Sequence, residues 1–449
     1  MTEQSPGRRW DRVAFAIAAF LIPLGSYLQV AASRDLLWSP PENGGDADDY
    51  ERLGYNLASG LGFGFCPSDA EICNGQRDPE PTERCDPGCS AAEFELTAYR
   101  PPGFPFLVAA IYKISPLNFF AVRVVNCICF ALAVAVVAIG FARQISVTSG
   151  VGVVVLCSID PRMRESAGTF LTENLATLMF SVTFVSLLAM HRRPSMQSAF
   201  WGGVSFSGLV FVRSFYVAWY PAVWIATAVV FYVQSRSLAA HRWRTLRMFA
   251  IFAFASIILT APWWIRNCLV LDALMPTGTQ GGIGIADGFS DSAYINKGDW
   301  RPTTAGLIYQ QILSDPKTAQ WSRIELEKEA CQRGFAHAKA WIREHPWKTI
   351  QLSWWKLCKL WEYGNPRHMI LFGLVFVGMY FQRRHPLVRV ALFLMVLNSL
   401  TVMATYHTYE RFMTPFRPMI HGLATCGIAG IAIAVFPRLA ILHDRCDSK

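Results

Sequence analysis

The chain reads as an all-α protein, a polytopic membrane helix bundle of about ten spans with two long outer loops containing juxtamembrane helices. Three observations carry this. Of its 449 residues, 53% are hydrophobic and only 16% charged, against about 25% charged in an ordinary soluble domain. Uncharged apolar runs cover 13–32, 124–142 and 215–233, each about the twenty residues a helix needs to cross a bilayer. The runs do not alternate with period two, so they read as helices and not as barrel strands. Basic residues sit at the ends of apolar runs, as the positive-inside rule requires. The net charge of +9 therefore belongs to membrane topology, and no basic patch with interleaved aromatics points to nucleic acid.

The first run, 13–32, follows Arg8, Arg9 and Arg12, a flank shared with secretory signals, and Val30-Ala31-Ala32 would serve as a cleavage site. Its length and the spans that follow favour an uncleaved first span. The first outer loop, 33–102, holds an expected short helix over 46–59 with Tyr50, Leu53, Leu57 and Ala58 on one face. The apolar stretch 104–114 is short and contains Lys113, so it is expected at the interface; a true span there would invert everything after it. Spans follow at 124–142, 146–159, 174–190, 199–212, 215–233 and 248–264. The second outer loop, about 266–365, holds a Trp- and Lys-rich amphipathic stretch over 341–361. The last spans are 369–381, 390–405 and 419–436. Arg143, His191-Arg192-Arg193, the run from Arg236 to Arg247, Arg383-Arg384-His385, and Arg438 with Arg445 then all fall inside. The chain divides into 1–263, 264–365 and 366–449, with no repeat and no separate soluble domain expected.

Four of the twelve cysteines, Cys66, Cys73, Cys85 and Cys89, share the first outer loop. On the oxidising side of a membrane they suggest disulfides. Zinc is the rival, but the loop has no CxxC pair and no nearby histidine.

The candidate chemistry lies at the outer ends of spans. Asp46, with Asp48 and Asp49 as rivals, opens the first outer helix; Glu173 stands at the mouth of a later span. Acidic groups near the membrane are candidates for function, although Asp46 could simply cap its helix. Arg100 lies at the same level, before two prolines that fix the backbone. A carboxylate beside a fixed cation suits sugar transfer from a lipid phosphate: the carboxylate takes the proton of an attacking hydroxyl, and the cation steadies the departing phosphate. Arginine's planar fork meets phosphate oxygens in pairs. Arg123, Arg213, Arg266, Lys356 and Arg411 are further outer cations, for which the ordinary reading is snorkelling from a helix end.

Five segments, in this order, give the chain a resemblance to a known family. They are Asp46-Ala47-x-x-Tyr50-x-x-Leu53-x-x-Asn56-Leu57-Ala58-x-Gly60, Tyr99-Arg100-Pro101-Pro102-Gly103-Phe104-Pro105, Thr172-Glu173, Ala261-Pro262-Trp263-Trp264-Ile265-Arg266-Asn267, and Glu410-Arg411-Phe412-x-x-Pro415. Together they resemble the GT-C membrane glycosyltransferases, the family of dolichyl-phosphate-mannose protein mannosyltransferases and the lipid A aminoarabinose transferase, with Phe412 where that family usually has Tyr. The resemblance implies an inverting transfer from a polyprenyl-phosphate sugar to an envelope lipid, glycan or protein, at the outer face of a bacterial inner membrane. It implies Asp46 as base, Glu173 as second acid, and Arg100 on the carrier phosphate, with Tyr50, Arg266, Lys356 and Arg411 as substrate-binding candidates. It implies no metal and no cofactor. The four-cysteine insertion is longer than the family pattern and would line the acceptor side. There is no GK[ST] phosphate loop and no HExxH, which argues against ATP-driven transport and zinc proteolysis. The rival reading is a transporter or flippase of a lipid-linked sugar.

Overall fold

A computed structural model describes residues 6–41, 45–65, 94–192, 194–235, 241–299, 301–405 and 410–436. The four loop cysteines lie outside these residues. The fold is a helix bundle with a small helical layer at one end. In chain order its elements are α1 (Pro6–Ser33), α2 (Asp46–Ala58), the strands β1 (Gly64–Phe65) and β2 (Glu95–Leu96), α3 (Gly103–Ile114), α4 (Phe119–Gln144), α5 (Val147–Ile159), α6 (Pro161–Ala167), α7 (Glu173–Arg192) and α8 (Met196–Val212). After a 3-10 turn over Ser214–Trp219 come α9 (Tyr220–Ser235), α10 (His241–Ile257), α11 (Thr260–Leu271), α12 (Gln280–Gly288), α13 (Asp291–Ile295), α14 (Thr303–Leu313), α15 (Arg323–Glu344), α16 (Pro346–Leu360), α17 (Pro366–Phe381) and α18 (Pro386–Ala404). A second 3-10 turn, Pro316–Thr318, lies between α14 and α15, and a third, Glu410–Phe416, leads into α19 (Arg417–Val435).

Six helices among the described residues are long and apolar enough to cross a membrane, and α10 with α11, bent by 48° at a short break, makes a seventh span. The shorter apolar helices α5, α8 and α17 coincide with expected spans, which accounts for the ten read from sequence. They fall below the length of the six long spans, and each still exposes apolar side chains, among them Val155 of α5, Trp201 of α8 and Phe376 of α17. α1 belongs to the bundle: its Tyr27 hydroxyl donates to the Cys157 carbonyl, and Ala31, inside the sequence that resembled a cleavage site, is fully buried. Aromatic side chains fill the centre, among them Phe130, Phe180, Phe184, Phe206, Trp219 and Phe416. α17 and α19 touch through backbone: a Cβ on Gly378 would meet the Leu423 carbonyl oxygen at 2.0 Å. Without a hydrophobic drive between helices in lipid, such close approach is how they gain contact.

Two features differ from the sequence reading. The amphipathic stretch 341–361 is not one helix. Pro346 has no amide hydrogen to continue the previous turn, so α15 ends at Glu344 and α16 starts anew. The second outer segment also has cores of its own. Ile283, Ala286, Ile308, Ile312 and Ala330 form one, and Phe289, Ala293, Ala338, Trp341 and Leu352 another. Its helices are short and partly glycine-rich, which hides their periodicity from a sequence window.

α3, expected at the interface, packs beside α2. Tyr50, Phe104, Val108, Tyr112, Val122 and Phe170 form their shared core.

Candidate active site

Asp46 is the first residue of α2, but its side chain does not cap the helix. Its two oxygens reach in opposite directions: Oδ1 lies 2.7 Å from Arg100 Nη1, and Oδ2 accepts from Arg411 Nη2 at 2.5 Å. Arg411 Nε is 3.6 Å from Glu173 Oε1, and the same oxygen accepts from Arg213 Nη1 at 3.2 Å. On the other side, Arg100 Nε donates to Asp49 Oδ2 at 2.7 Å, and Nη2 lies 2.6 Å from the same oxygen. Three carboxylates and three guanidiniums thus alternate in the order Asp49, Arg100, Asp46, Arg411, Glu173, Arg213. The charges cancel, which is what allows a charged row to lie buried at the edge of an apolar bundle.

The chain brings these groups from five places. Asp46 and Asp49 stand one turn apart on α2, so they share a face. Arg100 precedes α3, held by Pro101 and Pro102. Glu173 begins α7, and Arg213 ends α8. Arg411 stands in the 3-10 turn before α19. Under the expected topology every one of these positions is outside. The opposite end of α7 carries Arg192, about 30 Å away along a twenty-residue helix, where it bonds Gln144 at the other set of connections. A spanning α3 would have put Glu173 on the far side from Asp46, and their shared bond to Arg411 excludes that.

The electrostatics follow from burial and charge. Burial works against ionised Asp46, but Arg100 and Arg411 outweigh it and hold its carboxyl well below the usual range. Burial pushes Asp49 up, against the pull of Arg100. Arg100, with a side chain only 6% exposed, stays charged: burial disfavours that, and Asp46 and Asp49 more than compensate. The rings of Tyr99 and Tyr50 lie 4.8 and 5.6 Å from its Cζ, within cation–π range. Glu173 Oε2 is buried and accepts no hydrogen bond among the described residues. Arg411 is the most open cation of the row, its side chain 33% exposed.

The structure therefore brings together Asp46, Glu173, Arg100, Arg411 and Tyr50. Asp48 turns to Arg52 on its own helix, at 3.1 Å. Arg266 holds the first outer loop instead: it donates to the carbonyls of Thr97 and Phe63 and stacks on Trp263 and Phe63. Lys356 is fully buried, its ammonium 3.6 Å from the centroid of Phe289, and burial pulls its pKa down to about 7. Neither Arg213 nor Arg123 snorkels. Arg123 donates to the carbonyls of Gly168, Ser39 and Pro40. Arg213 completes the row, and the signal in the sequence was its place directly after a span on the same side as Glu173.

A second buried carboxylate ties the outer layer to this site. Glu327 of α15 accepts from Thr97 Oγ1 at 2.5 Å, Ala98 N at 3.0 Å, Thr279 Oγ1 at 3.2 Å and Arg323 Nε at 3.1 Å. It thereby fixes the strut that ends two residues later in Arg100. No group of three or more metal-ligating side chains occurs among the described residues.

No protein-family model matches the chain, and no curated protein matches it. Among solved structures it is similar to ArnT from Cupriavidus metallidurans bound to undecaprenyl phosphate, with 14% identity, 97% of this chain and 81% of that chain covered, and a TM-score of 0.38. It is likewise similar to ArnT from Cupriavidus metallidurans in the apo state, with 15% identity, the same coverage and a TM-score of 0.37.

Proposed function

We propose that this chain is a glycosyltransferase that moves a sugar from a polyprenyl-phosphate carrier, undecaprenyl phosphate, to an acceptor hydroxyl at the outer face of a bacterial inner membrane, with inversion at the anomeric carbon. The observation that carries the reading is Asp46 held between Arg100 and Arg411, with Glu173 on the far side of Arg411. The order of motifs around these residues supports it.

In this reading the donor's phosphate takes N–H groups of Arg100 and Arg411, and draws both from Asp46. Asp46, a weak base while two cations hold it, regains basicity as they turn to the phosphate. The acceptor oxygen then attacks the anomeric carbon and gives its proton to Asp46. A new C–O bond forms, the bond from that carbon to the phosphate oxygen breaks, and its electron pair goes to the phosphate. The charge that leaves Asp46 reappears on the phosphate, between the same two guanidiniums. Glu173, with one oxygen on Arg213 and Arg411, orients Arg411 and offers its other oxygen to a hydroxyl of substrate.

A bent span is one mark of transporters, and α10 with α11 is such a span. At its break Ser256 and Thr260 are engaged by Tyr220 and Trp224, and further on Arg266 and Asn267 bond the first outer loop and the Pro276 carbonyl. The test is release of undecaprenyl phosphate from undecaprenyl-phosphate sugars by the purified protein, with a detergent extract of bacterial membranes supplying acceptor. Release that depends on the extract is expected. Asp46→Asn should lower it by roughly 10²–10⁴, the usual contribution of a general base; full activity in that variant would refute the assignment.

A further inference from the structure

We infer that Asp49 is a positioning residue for the transfer: it fixes Arg100 from the side while Asp46 releases it. The inference rests on the proposed reading of the site and adds a residue to it.

Arg100 has five N–H groups. Nε donates to one oxygen of Asp49, Nη2 lies 2.6 Å from that same oxygen, and Nη1 lies 2.7 Å from Asp46. The planar fork of the terminal nitrogens is what meets two phosphate oxygens. Two tyrosine rings border the guanidinium, so its plane is set as well. Of the carboxylates in the row, Asp46 is shared between Arg100 and Arg411 and Glu173 between Arg411 and Arg213. The described ion pairs of Asp49 go to Arg100 alone. Once the carrier phosphate has drawn Arg100 from Asp46, Asp49 is the described carboxylate that still holds the guanidinium while charge gathers on the leaving phosphate. The Asp49 bonds do not depend on the charge of Asp46. Helical geometry keeps the two carboxylates one turn apart on the same face, so one guanidinium reaches both.

Removing the charge of Asp49 then has two opposed effects. A competing anion leaves the neighbourhood of the phosphate, which favours ground-state binding of the carrier. The cation loses its fixed orientation, which slows the step. The experiment measures binding of undecaprenyl phosphate to the purified full-length protein, its turnover as above, and its melting temperature, for wild type, Arg100→Ala, Asp49→Asn and Asp49→Glu. We expect Arg100→Ala to weaken carrier binding at least tenfold. Asp49→Asn should bind the carrier as tightly as wild type or more tightly, while kcat falls at least tenfold. Asp49→Glu, which keeps the charge, should recover part of that kcat; it carries the test if the amide variant fails to fold. The inference is overturned if Asp49→Asn turns over within threefold of wild type, if it loses carrier binding as Arg100→Ala does, or if Asp49→Glu is no better than the amide. If wild type does not bind undecaprenyl phosphate and Arg100→Ala changes nothing, the reading of the site fails first, and the inference with it.

Discussion

Glu327→Gln tests whether the helical layer around α15 holds Arg100, the proposed phosphate-binding arginine, in place. The carboxylate accepts four hydrogen bonds, two on each oxygen: Thr97 and Arg323 on Oε1, Ala98 and Thr279 on Oε2. An amide has one acceptor oxygen. With that oxygen toward Thr97 and Arg323, the amide nitrogen faces the Ala98 N–H, donor against donor. Turned round, it faces the Nε–H of Arg323. Either way one donor in a buried position loses its acceptor, at about 1–3 kcal/mol, and the ion pair with Arg323 is lost as well. The sum is on the order of 3–5 kcal/mol, the usual result of removing one charge from a buried pair. Ala98 lies two residues before Arg100, so the displacement falls on the strut that aims the guanidinium. Scanning calorimetry or fluorescence melting in detergent should show a fall of several degrees. Turnover, measured as release of undecaprenyl phosphate, should fall by more than the loss of folded protein explains. A variant melting within about 1 °C of wild type and turning over normally would show that this carboxylate does not hold the strut.

Gly278→Ala should act on the same strut from the opposite side: the residue sits at φ +80°, and a Cβ would lie 2.1 Å from the Ala98 carbonyl oxygen. We expect lower stability and lower turnover together; wild-type behaviour on both counts would show that the loop relaxes freely. Lys356→Met should stabilise the protein in a pH-dependent way. The buried lysine titrates at about 7 when folded and at about 10.4 when unfolded. Above the unfolded value it is neutral in both states; as pH falls toward 7 the unfolded chain gains a proton the folded one resists, so wild-type stability declines. Melting temperatures across pH 6–11 should thus show the variant's advantage, on the order of a few kcal/mol, greatest below pH 7 and gone at the alkaline end. A constant difference would refute the buried-lysine account, and weakened binding of undecaprenyl phosphate would instead place Lys356 on the phosphate.

Much of this was legible in the sequence because membranes impose simple rules. Long uncharged runs gave the spans, and basic residues at their ends gave the sides. Asp46, Arg100, Glu173 and Arg411 stood out as charges placed where burial is costly. What the sequence hid was pairing. Arg213 looks like any arginine at the end of a span until Glu173, forty residues earlier in the chain, is seen to share its side chain's space. Asp49 looked like a rival of Asp46 because both sit in one acidic run; only the position of Arg100 shows that one guanidinium holds both. Arg266 was expected either on the phosphate or shaping the site, and its bonds to the Thr97 and Phe63 carbonyls and to Asn267 Oδ1 fit the second. Glu327 had no signal at all, since its partners Thr97, Ala98 and Thr279 are distant in the chain.

The charged row also bears on topology, and this makes the two levels of the argument depend on each other. Its members come from segments separated by an even number of crossings under the ten-span count, so they can meet only if that count has the right parity. An error of one span anywhere between Asp46 and Arg411 would leave an unpaired arginine or carboxylate at each face of the bilayer, at several kcal/mol apiece. A second buried group repeats the constraint. Asp160, just after α5, bonds Arg417 and His421 of α19 at 2.7 Å each, and Arg417 continues to Glu362 before α17 at 3.2 Å. Two sets of ion pairs, which share only the last span through Arg411 and Arg417, thus agree with the sidedness expected from the basic connections. Burying an ion pair is a poor way to gain stability over an apolar pair of equal volume. The Asp160 group sits where α16, α17, α19 and the end of α5 join, and it locks that junction. The row from Asp49 to Arg213 also joins several elements, but it is more open, at Arg411 and Asp46, which is why a substrate's charge, and not packing alone, is the reason we propose for it.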